Sequence, residues 1–321
     1  MAKLGTAYVD IKGDWDAFAR DADDAGNGLA GAFSGFGKKA GLLLVGGISA
    51  AIAGAAAGGK FLLDLGGDID AAFDTIRTGT GATGDALEAL QDDFRAVAST
   101  TPSDLESVGT AVADLNTRLG LTGEPLQAVA KQMLDLSRIT GTDLAANIEN
   151  STRMFGDWAV PVEDQAAALD DLYRAAQASG VGLDKLSQTA VDFGAPLRTL
   201  GYSFEESLAM VAKFEKEGVN TQLVFSGIKQ AIGTMAAAGQ DPIETFRSVT
   251  EQIKAAGSAG EANSIALKLF GQDAGPDMAA AIREGRLEIG DMTAAISGGS
   301  DTISKASADT ADWKEKWQVL K

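Results

Sequence analysis

Carboxylates, hydroxyls and lysines are the main groups this chain offers for chemistry, because it holds no histidine and no cysteine. Those absences exclude the common zinc sites, Ser-His-Asp and Cys-His catalysis, and haem ligation by His or Cys. They also exclude any disulfide framework. Paired acids come next: Asp14 and Asp16, Asp23 and Asp24, Asp68 and Asp70, Asp92 and Asp93. A calcium hand needs a loop glycine and a distal glutamate, which none of these pairs has. A glycosidase needs two facing carboxylates, and nothing local singles out such a pair. Most of these acids read as solvated helix faces. Gly54-Ala55-Ala56-Ala57-Gly58-Gly59-Lys60 matches seven positions of a phosphate-binding loop. Phe61 stands where the magnesium-binding hydroxyl belongs, and no strand precedes the loop. Asn150-Ser151-Thr152 fits a glycosylation acceptor without a secretory signal beside it. No catalytic residue, cofactor or metal ligand is assigned, and the chain is expected not to be an enzyme. An enzyme working through carboxylates alone is the reading left on that side.

Function must then come from packing, and the sequence between Ser103 and Gly257 shows how its helices are arranged. One pattern of roughly forty residues returns four times. Each unit has a Leu in its third position (Leu105, Leu144, Leu183, Leu223) and closes on a glycine (Gly141, Gly180, Gly218, Gly257). Eight residues before each closing glycine stands an apolar side chain: Met133, Leu172, Met210, Val249. The middle of each unit carries a helix-start signal at Gly123-Glu124-Pro125, Pro161-Val162-Glu163, Ser203-Phe204-Glu205-Glu206 and Asp241-Pro242-Ile243-Glu244. In the last two, a cap acceptor precedes a glutamate by three positions, the spacing of a capping box. Ser103-Asp104-Leu105-Glu106 is expected to open the array in the same way. The closing glycines suit the left-handed conformation that stops a helix. Each unit is thus a helical hairpin, and stacked hairpins bury what one alone cannot. Phe193, Phe204, Phe214, Phe225 and Phe246 are expected in the core.

The fold class expected is all-α: a Gly/Ala-rich apolar N-terminal helix followed by an array of about four helical hairpins. Residues 1–39 read as a short strand (Ala7 to Lys12) and a loose amphipathic helix. Residues 40–66 form the apolar segment, 67–257 the hairpin array, and 258–321 further helices around Ile265 to Phe270, Asp277 to Arg283 and Ile289 to Ile296. Two more helices fall between 60 and 100, broken at Thr78-Gly79-Thr80-Gly81. The segment Ile303 to Lys321 ends on Trp313, Trp317 and Leu320 without a closing cap, as in a helix that continues in a longer chain.

Ala40 to Gly59 is twenty residues without a charge. Its strong hydrophobes are Leu42, Leu43, Leu44, Val45, Ile48 and Ile52, and Gly54 and Gly58 add a small-residue face on which helices approach closely. Three readings stand: a helix packed against copies of itself or other protein, a segment that inserts into a membrane only when triggered, and a resident membrane anchor or signal peptide, the cleavable signal disfavoured by the thirty-odd hydrophilic residues before the segment. The formal charge of −18 disfavours sequence-specific binding to a phosphate backbone.

The stretches Leu200 to Ser207, Phe214 to Asn220, Leu269-Phe270-Gly271 with Gly275-Pro276, and the Trp313-Lys314-x-x-Trp317 helix resemble the tail tape measure proteins of long-tailed bacteriophages. The likeness is to the conserved helical region in the N-terminal part of those proteins and covers roughly residues 70 to 321. It implies a non-enzymatic component of the virion tail, present in several self-associating copies inside the growing tube, whose extended length sets the number of rings. It further implies tail tube, tail tip and tail assembly chaperone proteins as partners, and a role in carrying the genome across the host envelope with transient membrane contact. As one helix, 321 residues reach only ~480 Å. A glycine-broken chain folds far shorter, so the ruler is expected beyond Lys321 or the job lies elsewhere in a related assembly. A membrane-active pore former or toxin, its array shielding Ala40 to Gly59, is the alternative.

Overall fold

The computed structural model describes residues 57–311 apart from 298 and 300, with side chains from residue 66 onward. The expected strand at Ala7 to Lys12, the helix after it, and the Trp313, Trp317 and Leu320 face lie outside the described residues. Among the described residues there are thirteen α-helices and no strand. The chain divides into two compact units, the boundary falling between Ala113 and Asp114.

The first unit contains α1 (Ala57–Thr80), α2 (Asp85–Ala98) and the opening turns of α3 (Leu105–Leu119). The break after Thr80 lies where the glycine-threonine turn placed it, with Gly81 and Gly84 at positive φ. Ala72, Ile76, Leu90, Phe94, Val97, Val108 and Val112 form its core, with Phe73 set edge-on to Phe94 at 5.4 Å. Gly109 lets α3 approach α1: a Cβ there would stand 3.1 Å from that of Ala72. Asp104, rather than Ser103, caps α3, accepting from the amide of Ser107 at 2.8 Å. The shorter Ser103 hydroxyl instead meets that of Thr101 at 3.2 Å.

The second unit holds α4 (Gly123–Thr140), α5 (Leu144–Asp157), a 3-10 turn at Val162–Asp164, α6 (Gln165–Ser179), α7 (Leu183–Thr199), α8 (Phe204–Lys216), α9 (Thr221–Ala237), α10 (Pro242–Ala255), α11 (Ala259–Arg283), α12 (Gly290–Ser297) and α13 (Thr302–Thr310). Local signals start most of these helices. Asp143, Ser203, Asn220, Asp241 and Ser258 each accept a backbone N–H of the first turn, worth about 1 kcal/mol apiece. Ser203 and Glu206 complete a reciprocal capping box. Gly141, Gly180 and Gly218 sit at φ between 69° and 74°, the left-handed stop expected of them.

Alternate helices line up in rows. The helices α4, α6 and α8 pack in succession, and α5, α7 and α9 form the row behind them. Met133, Leu172 and Met210, one on each front-row helix, are all buried. Phe193 stacks on Phe225 at 4.3 Å and Phe214 lies 5.8 Å from Phe225, which ties α7, α8 and α9 into one aromatic core. Phe246 is buried against Phe270, whereas Phe204 is only half-buried and stands edge-on to Trp158.

The fourth repeat departs from the other three. Val249 is half-buried and Gly257 is not left-handed: α10 ends at Ala256 in extended backbone, and the Gly257 amide donates to Glu261. The cause is tertiary. Helix α10 packs mainly on α11, which also lies along α9, so α10 does not extend the row of α8. Helix α11 is itself broken at Gly271, φ 78°. It approaches α9 so closely that a Cβ on Gly227 would overlap that of Ala274. We expect Gly227→Ala to destabilise the unit by about 1–3 kcal/mol in chemical denaturation, and the added change Ala274→Gly to recover part of that loss. Full stability in the single variant would mean that the two helices have slack.

Candidate functional site

The second unit concentrates its buried charge where the chain turns back on itself. After α11, helices α12 and α13 return along the front row: α12 packs on α8 and α6, and α13 on α6 and α4. Ile296 and Ile303 supply their fully buried apolar anchors. Most of the remaining fixings are polar, and each front-row helix contributes.

From α8, the Lys213 ammonium donates to the carbonyl oxygens of Gly285 at 3.1 Å and Glu288 at 2.7 Å. From α6, Arg174 divides its guanidinium among the carboxylate of Asp171, the carbonyl of Ile296 and the hydroxyl of Thr302. From α4, Arg138 donates to the carbonyl and the hydroxyl of Ser307, both at 2.7 Å. Two acids complete the set. Asp170 accepts the backbone N–H of Ile303 at 2.9 Å, and Asp135, which also pairs with Lys131, accepts the Ser307 hydroxyl at 2.6 Å.

The signs follow the helix ends. Arg174 meets the last turn of α12 and Arg138 the last turn of α13, where carbonyl oxygens lack partners and the dipole is negative. Asp170 meets the first turn of α13, where the N–H groups are free, so this helix borrows its cap from α6. The arrangement binds backbone ends and hydroxyls. Among the described residues no group of three or more acids is placed to hold a metal ion.

Burial raises the Asp171 carboxyl above its ordinary 3.8, with Arg174 working against the rise and Glu205 and Asp170 adding to it. Tyr202 is pushed up to about 12, first by burial and then by Glu206, and so stays a neutral phenol.

Of the residues singled out in the sequence, Leu42, Leu43, Leu44, Val45, Ile48, Ile52 and Gly54 lie outside the described residues, and Gly58 falls in the first turn of α1. Among the described residues no helix is long and apolar enough to cross a membrane. Asp68, Asp70 and Asp92 are exposed as expected, but Asp93 is buried, because its position on α2 follows the apolar stripe of Leu90, Phe94 and Val97. Ser151 and Thr152 of the glycosylation pattern are buried on α5.

Asp135, Arg138, Asp170, Asp171, Arg174 and Lys213 were not singled out in the sequence. A signal exists: each closing helix carries a cation three to six residues before its closing glycine, as Arg138 before Gly141, Arg174 before Gly180 and Lys213 before Gly218. It gains meaning only once the chain returns over that face.

Two outcomes test this reading. Arg174→Ala leaves Asp171 buried without its cation and should lower stability by about 3–5 kcal/mol in urea unfolding. Arg174→Lys, unable to reproduce the forked contacts, should fall between. For Asp171, a raised folded pKa means that its ionisation works against folding: the penalty is absent below about 3.8 and grows as pH rises through the folded value. The stability of Asp171→Asn relative to the parent should therefore increase with pH above that point and then level off. A pH-independent difference would place the carboxyl in an environment like the unfolded chain.

Comparison with known families adds an independent line. The model of the phage-related minor tail proteins matches residues 91–318, which is 228 of the 321 residues. No curated protein and no solved structure matches the chain. The matched span takes in every helix from α3 to α13, the front row and its polar fixings included. By that match the chain belongs to the family of phage-related minor tail proteins, with a structural role in a phage tail.

Proposed function

We propose that this chain is the helical N-terminal region of a tail tape measure protein, a packing module that sits in the tail and performs no catalysis. The observation that carries this reading is the use of the charges along the front row. The buried Asp135 and Asp170 and the half-buried Arg138 and Arg174 are spent on holding α12 and α13, and the half-buried Lys213 on the connection before them. A catalytic site would aim such groups at an open position. Two further supports are the family match over residues 91–318 and the tape-measure-like stretches Leu200 to Ser207 and Phe214 to Asn220, which fall on α8, its cap and the turn after it.

In this reading the array is an anchoring module rather than the ruler, since stacked hairpins are far shorter than an extended helix. It works by packing against other copies and against the tube, tip and chaperone proteins, and the uncharged Ala40 to Gly59 segment serves the packing between copies or the later crossing of the host envelope. The test is a phage encoding this chain with residues 114–310 removed in frame, its particles imaged by electron microscopy. Loss of tails, or tails of uncontrolled length, is the expected result. Tails of normal number and length that still deliver DNA would overturn the proposal. Liposome leakage by the purified chain, with none after deletion of residues 40–59, would favour the membrane-active alternative.

A further inference from the structure

Helices α12 and α13 are eight and nine residues long, too short to hold their form alone. Their principal packing partners are α4, α6 and α8. They occupy the front-row groove as a ligand would, tethered by the six residues 284–289.

The chemistry of that groove is not that of a permanent core. Permanent interfaces are apolar, whereas interfaces that open keep polar groups that water can satisfy in the open state. Apart from Ile296 and Ile303, the fixings are Arg138, Arg174, Asp135 and Asp170, most of them to backbone atoms and hydroxyls. The hydroxyl oxygens of Ser207 on α8 and Thr293 on α12 are buried with no hydrogen-bond partner, a penalty that opening would relieve. The tether is held by the Lys213 ammonium on the carbonyl oxygens of Gly285 and Glu288 and by two ion pairs of the weak, exposed kind, Lys254 to Glu288 at 3.2 Å and Arg286 to Glu217 at 3.7 Å. Gly285 within it is already at φ 71°.

We infer that α12–α13 is an exchangeable strap, which in a crowded assembly leaves its own groove and fills the same groove of a second copy of this chain. The groove is fitted to this segment, and another copy carries the identical one. Exchange therefore makes the same bonds in trans that it breaks in cis, so contact energy does not oppose it. What opposes it is the tether, whose effective concentration is on the order of millimolar. In dilute solution the strap stays at home. Copies packed together at comparable local concentration exchange it, reciprocally in a pair or onward along a row. Six residues, extended, span on the order of 20 Å, which sets the reach between neighbouring grooves. The inference goes beyond the tape-measure reading and does not rest on it, since its readout is linkage between purified chains.

The absence of cysteine makes the test clean. Chains carrying only Asp135→Cys are mixed with chains carrying only Ser307→Cys, and a short bis-maleimide is added after equilibration. A covalent heterodimer that is sparse at ~10 μM and at least about tenfold more abundant at ~1 mM is the expected result. The double variant should cross-link within one chain at the lower concentration. Mixed single variants that never link at ~1 mM, while the double variant links internally, would overturn the inference. If the cysteine variants do not fold, light scattering on the unmodified chain decides. Association that appears towards ~1 mM and is abolished by Ile303→Asp supports exchange, while a chain monomeric at ~1 mM, or association that survives the change, removes it.

Discussion

Helix ends are the constraint on which this structure turns. Each short helix leaves several N–H and C=O groups without partners, and the second unit packs ten helices, so many such ends fall inside it. Arg174 shows how the demand is met. One guanidinium closes the last turn of α12, holds the Thr302 hydroxyl at the start of α13, and keeps its neighbour Asp171 paired. Beside it Asp170 caps α13. Four residues after Asp170 on the same helix, Arg174 lies on the same face, as the helical period requires, and together they fix both ends of the connection between α12 and α13. The return of the chain over the front row rests on these two side chains together with the buried Ile296 and Ile303.

Glycine does two distinct jobs here. At Gly141, Gly180 and Gly218 it supplies the left-handed turn that ends a helix. At Gly109 and Gly227 it supplies close approach, letting backbones come near where a methyl group would meet Ala72 or Ala274. Such a fold gains dispersion contacts from proximity in place of large side chains, which fits a chain with 39 glycines and few aromatics.

The periodic part of the fold was legible in the sequence. Closing glycines, elbow caps and the buried positions of Met133, Leu172 and Met210 follow from local rules, because helix starts and stops are decided within a turn of chain. The fourth repeat was not legible: Val249 and Gly257 hold the register, yet α11 takes α10 away from the row. The Lys213, Arg174 and Arg138 fixings were hidden for a related reason. A charge near the end of an amphipathic helix looks solvated until some distant segment covers it, and the segments concerned lie 72, 122 and 169 residues away. Asp93 reads as a solvated acid because pairing it with Asp92 obscures the apolar stripe it adjoins, on which it is buried.

The return of α12 and α13 also brings the last helix of the second unit back against α4, the first whole helix within it. A mechanical load applied between these two ends would meet the fixings of the front row one after another: first Arg138 and Asp135 on Ser307, then Arg174 and Asp170 at the α12–α13 connection, then Lys213 on the tether. Fixings met in succession yield one at a time, whereas bonds that share a load must all yield together. The array behind the strap would lengthen by release of α13 and then α12 before its own rows were strained.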